Sequence, residues 1–483
     1  MSEKAVCIHG HYYQPVREDP LTGEVPKEPG AHPYRNWNER IHDQCYRPNA
    51  ELGNFEKISF DLGPTLINWM ISYDPATFAR IVEQERRNFE RFGVGNGMAQ
   101  PYHHTILPLA NRHDKITQIR WGVADFEYRF GHPPAGLWLP EAAVDMETLQ
   151  ILADEGVEFT ILAPWQSEDS QIDVGQPYWV EVGGDRRITV FFYEAELSMR
   201  VSFDPLATSN GDRFMTEFIL PRLSTNGHQP DEARLYIIAS DGELYGHHQP
   251  FRDKFLYYLT HREFSHPRLV PFTYPGLWLR QHPATRQARI RENTSWSCHH
   301  GVARWKEACP CAPNGDWKSK LRQALDWVAL KVDEQFVNSV SPYTDDPWQL
   351  LYAYIEVLHG KISVRELIQR ELNHSLEEDQ LHRIDLLLRA QLYKQRMFTS
   401  CGWFFEDFDR IEPRIVVVSA AQAIWWVRQA TGIDLIPAAK ERLAEVRSWR
   451  SSLRGDQVFM NHIERLRYEQ LSFPFVQSEI ERF

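Results

Sequence analysis

The stretch "GLWLPEAAVDMETLQILADEGVEFTILA" at residues 136–163 contains a complete strand–helix–strand pattern. Its two ends, "GLWLPE" (136–141) and "EFTILA" (158–163), are short apolar runs typical of parallel strands buried on both faces. Between them, "DMETLQILADEG" has helical spacing, with Asp145 as its expected N-cap and Gly156 as its stop signal. A helix between two such strands predicts a parallel α/β domain.

Similar apolar runs recur through the first part of the chain. They are "AVCIHG" (5–10), "GVGNGMAQ" (93–100), "ITVFFYEA" (188–195), "LYIIAS" (235–240) and "RLVPFTY" (268–274). Seven strands without a phosphate-binding glycine fingerprint favour barrel-like closure over a doubly wound sheet. From about residue 285 onward, apolar residues recur at three- and four-residue spacing, which predicts helices. We therefore expect an α/β barrel over residues 1–285 and an α-helical domain over 286–483 that packs on the barrel mouth.

The composition narrows the class of protein. A net charge of −13 argues against binding to nucleic acid, which requires a basic face. No run approaches 18 apolar residues, so we expect no membrane partner. The N-terminus has neither the basic nor the apolar region of a secretory signal, which favours the cytoplasm. Sixteen tryptophans exceed what a core of this size requires, and aromatic faces pack well on sugar rings.

The six cysteines are too few for a disulfide scaffold. Three of them, Cys298, Cys309 and Cys311, cluster near His299 and His300. A zinc site needs four well-placed ligands, and C-x₁₀-C-x-C is not a standard spacing. The spacing therefore favours reduced, packed thiols, and the sequence assigns neither a metal site nor a cofactor.

Titratable side chains follow four of the predicted strands at their carboxyl ends, where α/β barrels carry their active sites. Two carboxylates on different strands of one barrel suggest paired acid–base or nucleophile chemistry. Pro140 restricts the angle at which Glu141 leaves its strand, and Gly242 after Asp241 permits a sharp turn. The full set is His9, His11, His103, His104, Glu141, Asp241, Glu243, His247 and His248.

Five stretches then carry a family resemblance: "HGHYYQP" (9–15), "HTILPL" (104–109), "GLWLPEAAVD" (136–145), "SDGELYGHH" (240–248) and "NTSWSCHHGVARW" (293–305). In this order they resemble the five motif regions of glycoside hydrolase family 57. That family contains α-amylase-like hydrolases, 4-α-glucanotransferases and glycogen branching enzymes. The resemblance implies an incomplete seven-stranded (β/α) barrel followed by a helical domain. It also implies a retaining glycoside hydrolase or glycosyl-transferring enzyme that acts on α-1,4- or α-1,6-linked glucan.

The resemblance assigns roles to individual residues. Glu141 stands at the nucleophile position and Asp241 at the position of the general acid/base. The implied substrate-binding residues are His9, His11, His104, Trp138, Glu243, His247, Trp296 and Trp305.

The chain also departs from the family pattern. Two tyrosines separate His11 from Gln14, and "SCHH" (297–300) stands where glycine-rich sequence is common. The segment "HPYRNWNERIHDQCYRPNA" (32–50) has no counterpart that we can place. Its residues Trp37, Asn38, Glu39 and Arg40 form either a substrate-specific lid or a capped surface helix.

Several alternatives stay open at this point. A retaining double displacement needs carboxyl groups about 5–5.5 Å apart, whereas inversion needs roughly 6.5–9.5 Å. His9, His11 and Asp241 could instead bind zinc, as in metal-dependent α-mannosidases or polysaccharide deacetylases. A non-catalytic glycan-binding protein on the same fold is a third class. The motifs do not decide whether water or a sugar hydroxyl accepts the glycosyl unit, nor do they fix the oligomeric state.

Overall fold

The computed structural model of the chain describes residues 3–224, 232–261, 270–372 and 376–472. These residues form two compact units, each discontinuous in sequence. The first unit comprises Met1–Gln14, Val25–Tyr102 and Phe126–Ser297, and the second comprises Pro15–Glu24, His103–Asp125 and Cys298–Phe483. Within the described ranges, every helix is too short or too polar to cross a membrane.

The strands of the described part lie in the first unit. They are β1 (Lys4–Tyr12), β2 (Ser59–Leu62), β3 (Gly97–Met98), β4 (Phe159–Leu162), β5 (Pro177–Glu181), β6 (Arg187–Phe192), β7 (Arg234–Asp241) and β8 (Arg286–Gln287). Two sheets result, with the strand orders β3-β2-β1-β7 and β4-β6-β5-β8. All strand pairs are parallel except β5 with β6.

The stretch 136–138 joins the two sheets because it pairs with an edge of each. Leu137 forms a bridge with Ala99 beside β3, and Gly136 forms one with Phe159 of β4. At the other end of the series, Glu194 after β6 donates its backbone N–H to the carbonyl of Ile237 in β7, at 2.7 Å. The parallel series β7-β1-β2-β3-(136–138)-β4-β6 is therefore an incomplete seven-stranded barrel, and the predicted fold class is confirmed.

Three of the observed strands, β2, β5 and the two-residue β8, do not appear among the predicted ones. Strand β2 is only four residues long, too short for its apolar pattern to stand out. Strand β5 is the antiparallel neighbour of β6 and lies outside the parallel series. The predicted strand at 268–274 contributes one bridge within the described residues, between Phe272 and Val6, while its first two residues lie outside them.

Helices connect the strands of the first unit. They are α1 (Trp37–Ile41), α2 (Arg47–Leu52), α3 (Pro64–Tyr73), α4 (Pro75–Phe92), α5 (Arg112–Phe130), α6 (Met146–Asp154), α7 (Ala195–Phe203), α8 (Gly211–Phe214), α9 (Leu220–Ser224), α10 (Arg252–Thr260) and α11 (Pro275–Gln281). Helix α5 begins in the second unit and ends in the first. Asp145 caps α6 as expected, since its side chain accepts a hydrogen bond from the Thr148 N–H at 2.8 Å.

The second unit is helical. Its helices are α12 (Asp316–Val340), α13 (Trp348–Ala353), α14 (Ile355–Leu358), α15 (Val364–Leu372), α16 (Glu378–Arg396), α17 (Cys401–Phe404), α18 (Ile411–Thr431), α19 (Ile436–Leu443) and α20 (Gly455–Ser472). The three- and four-residue periodicity predicted the helices from Asp316 onward, whereas the chain between 286 and 315 contains strand β8, turns and one short 3₁₀ turn. One buried polar cluster lies within it, where the Lys394 ammonium contacts the carboxylates of Asp114 at 2.6 Å and Asp333 at 2.7 Å.

The barrel interior is filled by side chains from successive strands. It includes Cys7, Met98, Trp138, Phe159, Ile161, Phe191, Tyr193, Leu235, Ile237 and Trp278. Burying each large apolar side chain stabilises the fold by about 1.5–3 kcal/mol. The indole of Trp138 belongs to this core and is fully buried, so the barrel interior fixes one residue of the predicted site.

Candidate active site

Strand β1 lies at the centre of the site. His9 and His11 are two residues apart on this strand, so their side chains point to the same face. The parallel register places Asp61 of β2 and Asp241 of β7 on either side of His11. Strand pairing alone therefore places His9, His11 and Asp241 next to one another.

Asp61 holds both histidines. His9 Nε2 lies 3.0 Å from Asp61 Oδ1, and His11 Nδ1 lies 2.8 Å from Oδ2. Gln100 donates a third hydrogen bond to Oδ2 at 2.5 Å, and the hydroxyl of Ser59 lies 3.0 Å from His9 Nδ1. The Asp61 side chain is completely buried. This arrangement fixes the orientation of both rings and satisfies a carboxylate that would otherwise be costly to bury.

The charges in this group follow from burial and from Asp61. Burial lowers the pKa of His9, which leaves that ring neutral at neutral pH. Burial acts in the same direction on His11, but the negative charge and hydrogen bond of Asp61 outweigh it and raise the pKa of His11 to about 9. Although burial favours its protonated form, the charge of His11 and the hydrogen bonds of both histidines lower the pKa of Asp61. The site therefore contains a buried imidazolium–carboxylate pair.

Trp138 forms the floor beneath the two histidines. Its ring stacks on His9 with centroids 4.7 Å apart and on His11 at 5.5 Å. Trp296 meets Trp138 edge to face at 5.0 Å, and Tyr193 meets Trp296 at 6.3 Å. Trp138 and Tyr193 are buried, so among these rings Trp296, which is partly exposed, offers the apolar surface that packs against sugar rings.

Glu141 occupies an unusual backbone conformation. Its φ and ψ are 57° and 21°, in the left-handed region, and Ala142 follows with a φ of 46°. Such angles cost a non-glycine residue free energy, and they persist where the surrounding structure imposes them. The backbone N–H of Trp296 donates to the Glu141 carbonyl at 2.9 Å and holds this turn in place. Here the constraint aims one carboxylate into the site.

The Glu141 carboxylate is fixed through one of its oxygens. Oε2 accepts hydrogen bonds from Trp296 Nε1 at 3.1 Å and from the Ser297 hydroxyl at 2.6 Å. Burial raises the pKa of Glu141, the Ser297 hydrogen bond opposes this, and the negative charge of Asp241 raises it further. The Trp296 ring, which donates to Glu141, lies 6.3 Å from the His11 ring, and Asp241 pairs with His11 in the strand register, so both predicted carboxylates lie around His11.

Asp241 ends strand β7 with its side chain exposed. Among the described residues, none donates a hydrogen bond to its carboxylate. The surrounding protein displaces water from it and raises its pKa, an effect that the charge of His11 opposes and that of Glu243 reinforces. An accessible carboxyl group with a raised pKa can exchange a proton with a bound ligand.

The next residue, Gly242, has a steric role. Its backbone is not among those with positive φ, but a Cβ atom there would overlap the Tyr12 ring. The sequence-based reason, freedom to turn, was therefore wrong at this position: glycine allows the loop to pass close to β1. Gly246, later in the same loop, does adopt a backbone conformation that favours glycine, with a φ of 140°.

Glu243 holds the loop after β7 in place through hydrogen bonds. It is buried, and its Oε1 accepts hydrogen bonds from the Tyr46 hydroxyl at 2.7 Å and from the Tyr13 backbone N–H at 3.3 Å. Burial raises the pKa of Glu243, and the Tyr46 hydrogen bond opposes this. These contacts tie the loop after β7 to the chain that follows β1.

The segment 32–50, which has no placed counterpart, contributes a wall of the site. Helices α1 and α2 are continuous through a π turn at His42–Tyr46, and we call residues 37–52 the wall helix. Asn36 caps it by accepting from the Glu39 N–H at 2.9 Å, so a capped helix is indeed present. Its buried face includes Asn38, His42, Cys45, Tyr46 and Asn49, which shows that it is more than a surface helix.

The wall helix contacts the loop after β7 at several points. Cys45 Sγ donates to the Gly242 carbonyl at 3.4 Å, and Asn49 Nδ2 donates to the Tyr245 carbonyl at 2.7 Å. His247 Nδ1 lies 2.7 Å from Gln44 Oε1. Burial lowers the pKa of His247 to about 4, so this ring is neutral, donates through Nδ1 and can accept a hydroxyl proton at Nε2. π turns are frequent at functional sites, and this one lies against the Asp241 loop.

Trp37 extends the wall beyond His247. The two rings meet edge to face at 6.0 Å, and the Arg40 guanidinium lies 5.1 Å from the Trp37 ring centroid. We expect Trp37→Ala to raise KM for the substrate roughly 10-fold with little change in kcat, because the indole contacts His247 and has no described contact with Glu141 or Asp241. Steady-state kinetics on wild type and variant would measure this. Trp449→Ala, which removes an exposed tryptophan of the second unit, is the control, and an unchanged KM for Trp37→Ala would contradict the lid interpretation.

Trp296→Phe tests the hydrogen bond to Glu141. The substitution keeps an aromatic ring but removes the N–H that lowers the pKa of Glu141. We expect kcat to fall roughly 10- to 100-fold, the cost of losing one charge-assisted hydrogen bond. The acidic limb of the pH–rate profile should also move to higher pH. An acidic limb that stays in place would show that this indole does not act on Glu141.

Two predicted substrate-binding residues belong to the second unit. His104 is buried with a φ of 56°, and its Nδ1 lies 2.7 Å from the Ser400 hydroxyl. Trp305 is completely buried in a short 3₁₀ turn, so its indole presents no face to a sugar and the structure lends its predicted role no support. Neighbouring His103 is also buried, and burial lowers its pKa well below the usual range.

The geometry does not favour a zinc site at the end of β1. Both nitrogens of His9 already face protein oxygens, those of Ser59 and Asp61, and His11 Nδ1 faces Asp61. In the described part of the chain, the side chains that could jointly hold a metal ion lie elsewhere, at Cys298, His300, Cys309 and Cys311. The histidines of β1 therefore serve in a hydrogen-bonded network around Asp61.

The residues of the site that were not predicted from the sequence include Gln44, Asp61, Trp165, Tyr193 and Ser297. Trp165 meets Tyr193 edge to face at 5.9 Å and donates from Nε1 to the Ser295 carbonyl at 3.0 Å. For Asp61, a usable signal existed, since "ISFDLG" (58–63) is a short apolar run that contains a single acid and ends at glycine.

An incomplete parallel barrel with two carboxylates, two histidines and stacked aromatic rings at the strand ends defines the structural class of this protein. Residues 29–284 match the sequence model of Glycosyl hydrolase family 57, and residues 314–475 match a domain of unknown function, DUF3536. Because the first match spans more than half of the chain, the chain belongs to glycosyl hydrolase family 57.

Curated relatives and solved structures agree with this assignment. The chain is 22% identical over 215 residues to an alpha-amylase of Pyrococcus abyssi, and 22% identical over 214 residues to a 4-alpha-glucanotransferase of Thermococcus litoralis. Each match covers 43% of this chain and 30% of the relative, so the chain aligns with less than a third of their length.

Two solved structures show the same fold over nearly the whole chain. An exo-type maltose-forming amylase from Pyrococcus sp. ST04 gives a TM-score of 0.69 at 14% identity and covers 98% of this chain and 85% of its own. A GH57-type branching enzyme from Pyrococcus horikoshii gives 0.62 at 14% identity, with 94% and 96% covered.

Proposed function

We propose that this protein is a retaining glycoside hydrolase or transglycosylase that acts on α-glucans. The main support for the proposal is the position of the Glu141 carboxylate. Glu141 lies in a left-handed turn, and its carboxylate accepts hydrogen bonds from Trp296 and Ser297 and interacts electrostatically with Asp241. The names of the relatives, amylase, glucanotransferase and branching enzyme, support α-glucan as the substrate class.

The first step is attack by Glu141 on the anomeric carbon. Both described hydrogen bonds to this carboxylate go to Oε2, so we assign the attack to Oε1. Asp241, whose pKa is raised, donates its proton to the departing glycosidic oxygen. The bond from the anomeric carbon to that oxygen breaks as the bond to Oε1 forms. Oε2 becomes the ester carbonyl oxygen, and Trp296 and Ser297 continue to donate to it.

The second step releases the sugar. Asp241, now ionised, removes a proton from water or from a sugar hydroxyl, which attacks the anomeric carbon and restores the Glu141 carboxylate. The positive charge of His11 acts on both carboxylates and favours their ionised forms. Trp296, which is only partly buried, provides apolar contact to the sugar, while His11 and His247 provide hydrogen bonds to its hydroxyls. Trp138 and His9 are completely buried and hold the His11 ring and Asp61 in place.

Azide rescue tests the assignment of both carboxylates. With an α-maltosyl fluoride substrate, which needs no acid for departure of the leaving group, Asp241→Ala in azide should yield an α-maltosyl azide of retained configuration. Glu141→Ala should instead yield the inverted β-azide, because azide then attacks the substrate directly. The exposed Glu90→Gln is the control and should behave as wild type. Absence of azide products from both variants would refute the assignment.

Product analysis decides what accepts the glycosyl unit. Wild-type enzyme is incubated with linear α-1,4-glucan oligosaccharides, and product lengths and branch points are followed over time. Shorter products alone identify water as the acceptor, whereas longer or branched products identify a sugar hydroxyl. If every α-glucan stays intact with wild type, the proposed substrate class is wrong.

A further inference from the structure

The chain segment that follows Ser297 brings four metal-ligand side chains together. They are Cys298, His300, Cys309 and Cys311, all in the second unit, and their ligand atoms lie within 4.8 Å of one another. Cys298 Sγ lies 3.5 Å from Cys309 Sγ and 3.9 Å from Cys311 Sγ. His300 Nδ1 lies 3.4 Å from Cys309 Sγ and 3.3 Å from Cys311 Sγ.

These separations fit a tetrahedral metal centre. Zinc–sulfur bonds of about 2.3 Å in tetrahedral geometry place two sulfurs about 3.8 Å apart. A zinc–nitrogen bond of about 2.0–2.1 Å places the nitrogen about 3.5 Å from each sulfur. The four observed separations, 3.3–3.9 Å, lie close to both values, so a single ion can reach all four ligand atoms.

Two tight turns present the ligands in pairs. In the first, Cys298-x-His300, the Gly301 N–H donates to the Cys298 carbonyl at 3.1 Å, and Gly301 has a φ of 72°. In the second, Cys309-x-Cys311, the Ala312 N–H donates to the Cys309 carbonyl at 2.8 Å. The sequence alone favoured packed thiols because the spacing C-x₁₀-C-x-C considers the three cysteines without His300. The structure pairs them instead as C-x-H and C-x-C.

The cluster is poorly explained as a disulfide or as apolar packing. A disulfide requires sulfurs about 2.05 Å apart, well below the 3.5 Å between Cys298 and Cys309. Packed thiols would not need an imidazole nitrogen directed at two sulfurs. Lys318 is also buried nearby, where the Cys298 and Cys309 sulfurs act on its ammonium electrostatically. Three thiolates, a neutral imidazole and Zn²⁺ carry one net negative charge, which this ammonium complements.

We propose that Cys298, His300, Cys309 and Cys311 bind one zinc ion in a closed, structural site. Three sulfurs and one nitrogen form a soft ligand set that suits zinc. All four coordination positions are filled by protein, which leaves none for a substrate or an activated water. The ion would fix the segment 298–311 ahead of helix α12. Cys298 and Cys309 are buried, whereas His300 is exposed and gives the ion and chelators a path to the site.

Metal content is the first test. The full chain, produced without a histidine tag, should contain about one zinc per chain by inductively coupled plasma mass spectrometry. Cys309→Ser should lose the zinc, whereas Cys401→Ser, outside the cluster, should keep it. Because Cys309→Ser removes a buried group and can fail to fold, His300→Ala at the exposed ligand is the second variant. Its zinc affinity should fall on the order of 100-fold or more.

Stability and spectroscopy complete the test without relying on enzyme activity. Chelation should lower the melting temperature of wild type, and added zinc should restore it, while His300→Ala should need correspondingly higher zinc concentrations for the same stabilisation. Cobalt substituted for zinc should show sulfur-to-cobalt charge transfer and the visible bands of a tetrahedral ion. Zinc-free protein with three titratable thiols here, or a mass showing a Cys298–Cys309 disulfide, would overturn the proposal. Because these readouts do not involve catalysis, they are independent of the proposed glycosidase function.

Discussion

Glu141→Gln should lower kcat roughly 10⁴-fold or more, the cost of removing a covalent nucleophile, and should at the same time raise the melting temperature. The amide keeps the shape of the side chain and an oxygen that can accept from Trp296 and Ser297. It cannot attack the anomeric carbon, because it has no negative charge. Activity is followed as glucan cleavage and stability by thermal unfolding.

The stability gain follows from the direction of the pKa shift. Burial and Asp241 raise the pKa of Glu141, so the folded protein disfavours the ionised carboxylate that neutral pH requires. A neutral amide removes this cost, as is common where catalytic sites are strained or charged. Glu90→Gln on the surface of α4 should change neither quantity. Residual activity near the wild-type level would exclude Glu141 as nucleophile, and a lowered melting temperature would contradict the electrostatic account.

Asp61→Asn should have the second-largest effect, on both stability and activity. The amide group cannot accept from His9, His11 and Gln100 together, so at least one buried N–H loses its partner. Breaking a buried ion pair from one side costs about 3–5 kcal/mol in free energy of unfolding. The loss of the His11 charge and of ring orientation should lower kcat/KM roughly 100-fold. Urea unfolding and steady-state kinetics measure the two effects.

The pH dependence of stability provides a further test of the Asp61–His11 pair. The pKa of His11 is about 9 in the folded protein and about 6.5 when unfolded. Protonated His11 therefore contributes about 3 kcal/mol to the free energy of unfolding. This contribution is complete below pH 6.5 and is lost as the pH rises through 9. Wild type should lose that stability between these values, whereas Asp61→Asn should not. Ser59→Ala, which removes only the hydroxyl near His9 Nδ1, should keep the wild-type slope. An unchanged slope in Asp61→Asn would contradict the pairing.

The sequence predicted the barrel and its two carboxylates because those features are local. The runs around Trp138 and Asp241 show their burial directly, and the motifs that contain Glu141 and Asp241 are continuous in the chain. Asp61 was not predicted because β2 has only four residues. Its role depends on the strand register, which pairs it with His11 across 50 positions of the chain.

Other misses have the same physical origin. Ser297 and Gln44 act through single hydrogen bonds to Glu141 and His247, and these contacts span 156 and 203 positions of the chain. Trp305 shows the opposite error. Its motif position suggested a sugar contact, but the side chain is completely buried. Motif order identifies which segments meet, whereas side-chain exposure depends on packing that only the folded chain reveals.

The pairing of β1 with β7 has a consequence for how the chain folds. It joins residues 4–11 to residues 234–241, and the hydrogen bonds of Cys45 to Gly242 and of Tyr46 to Glu243 each span 197 positions. Closing loops of this length costs chain entropy before the contacts stabilise the product, so we expect this closure to be slow and late. During synthesis on the ribosome, one edge of β1 stays unpaired until β7 has been synthesised. Ring closure and the placement of Asp241 beside His11 are then the same event, so we expect recovered activity after refolding to measure the fraction of molecules whose ring has closed.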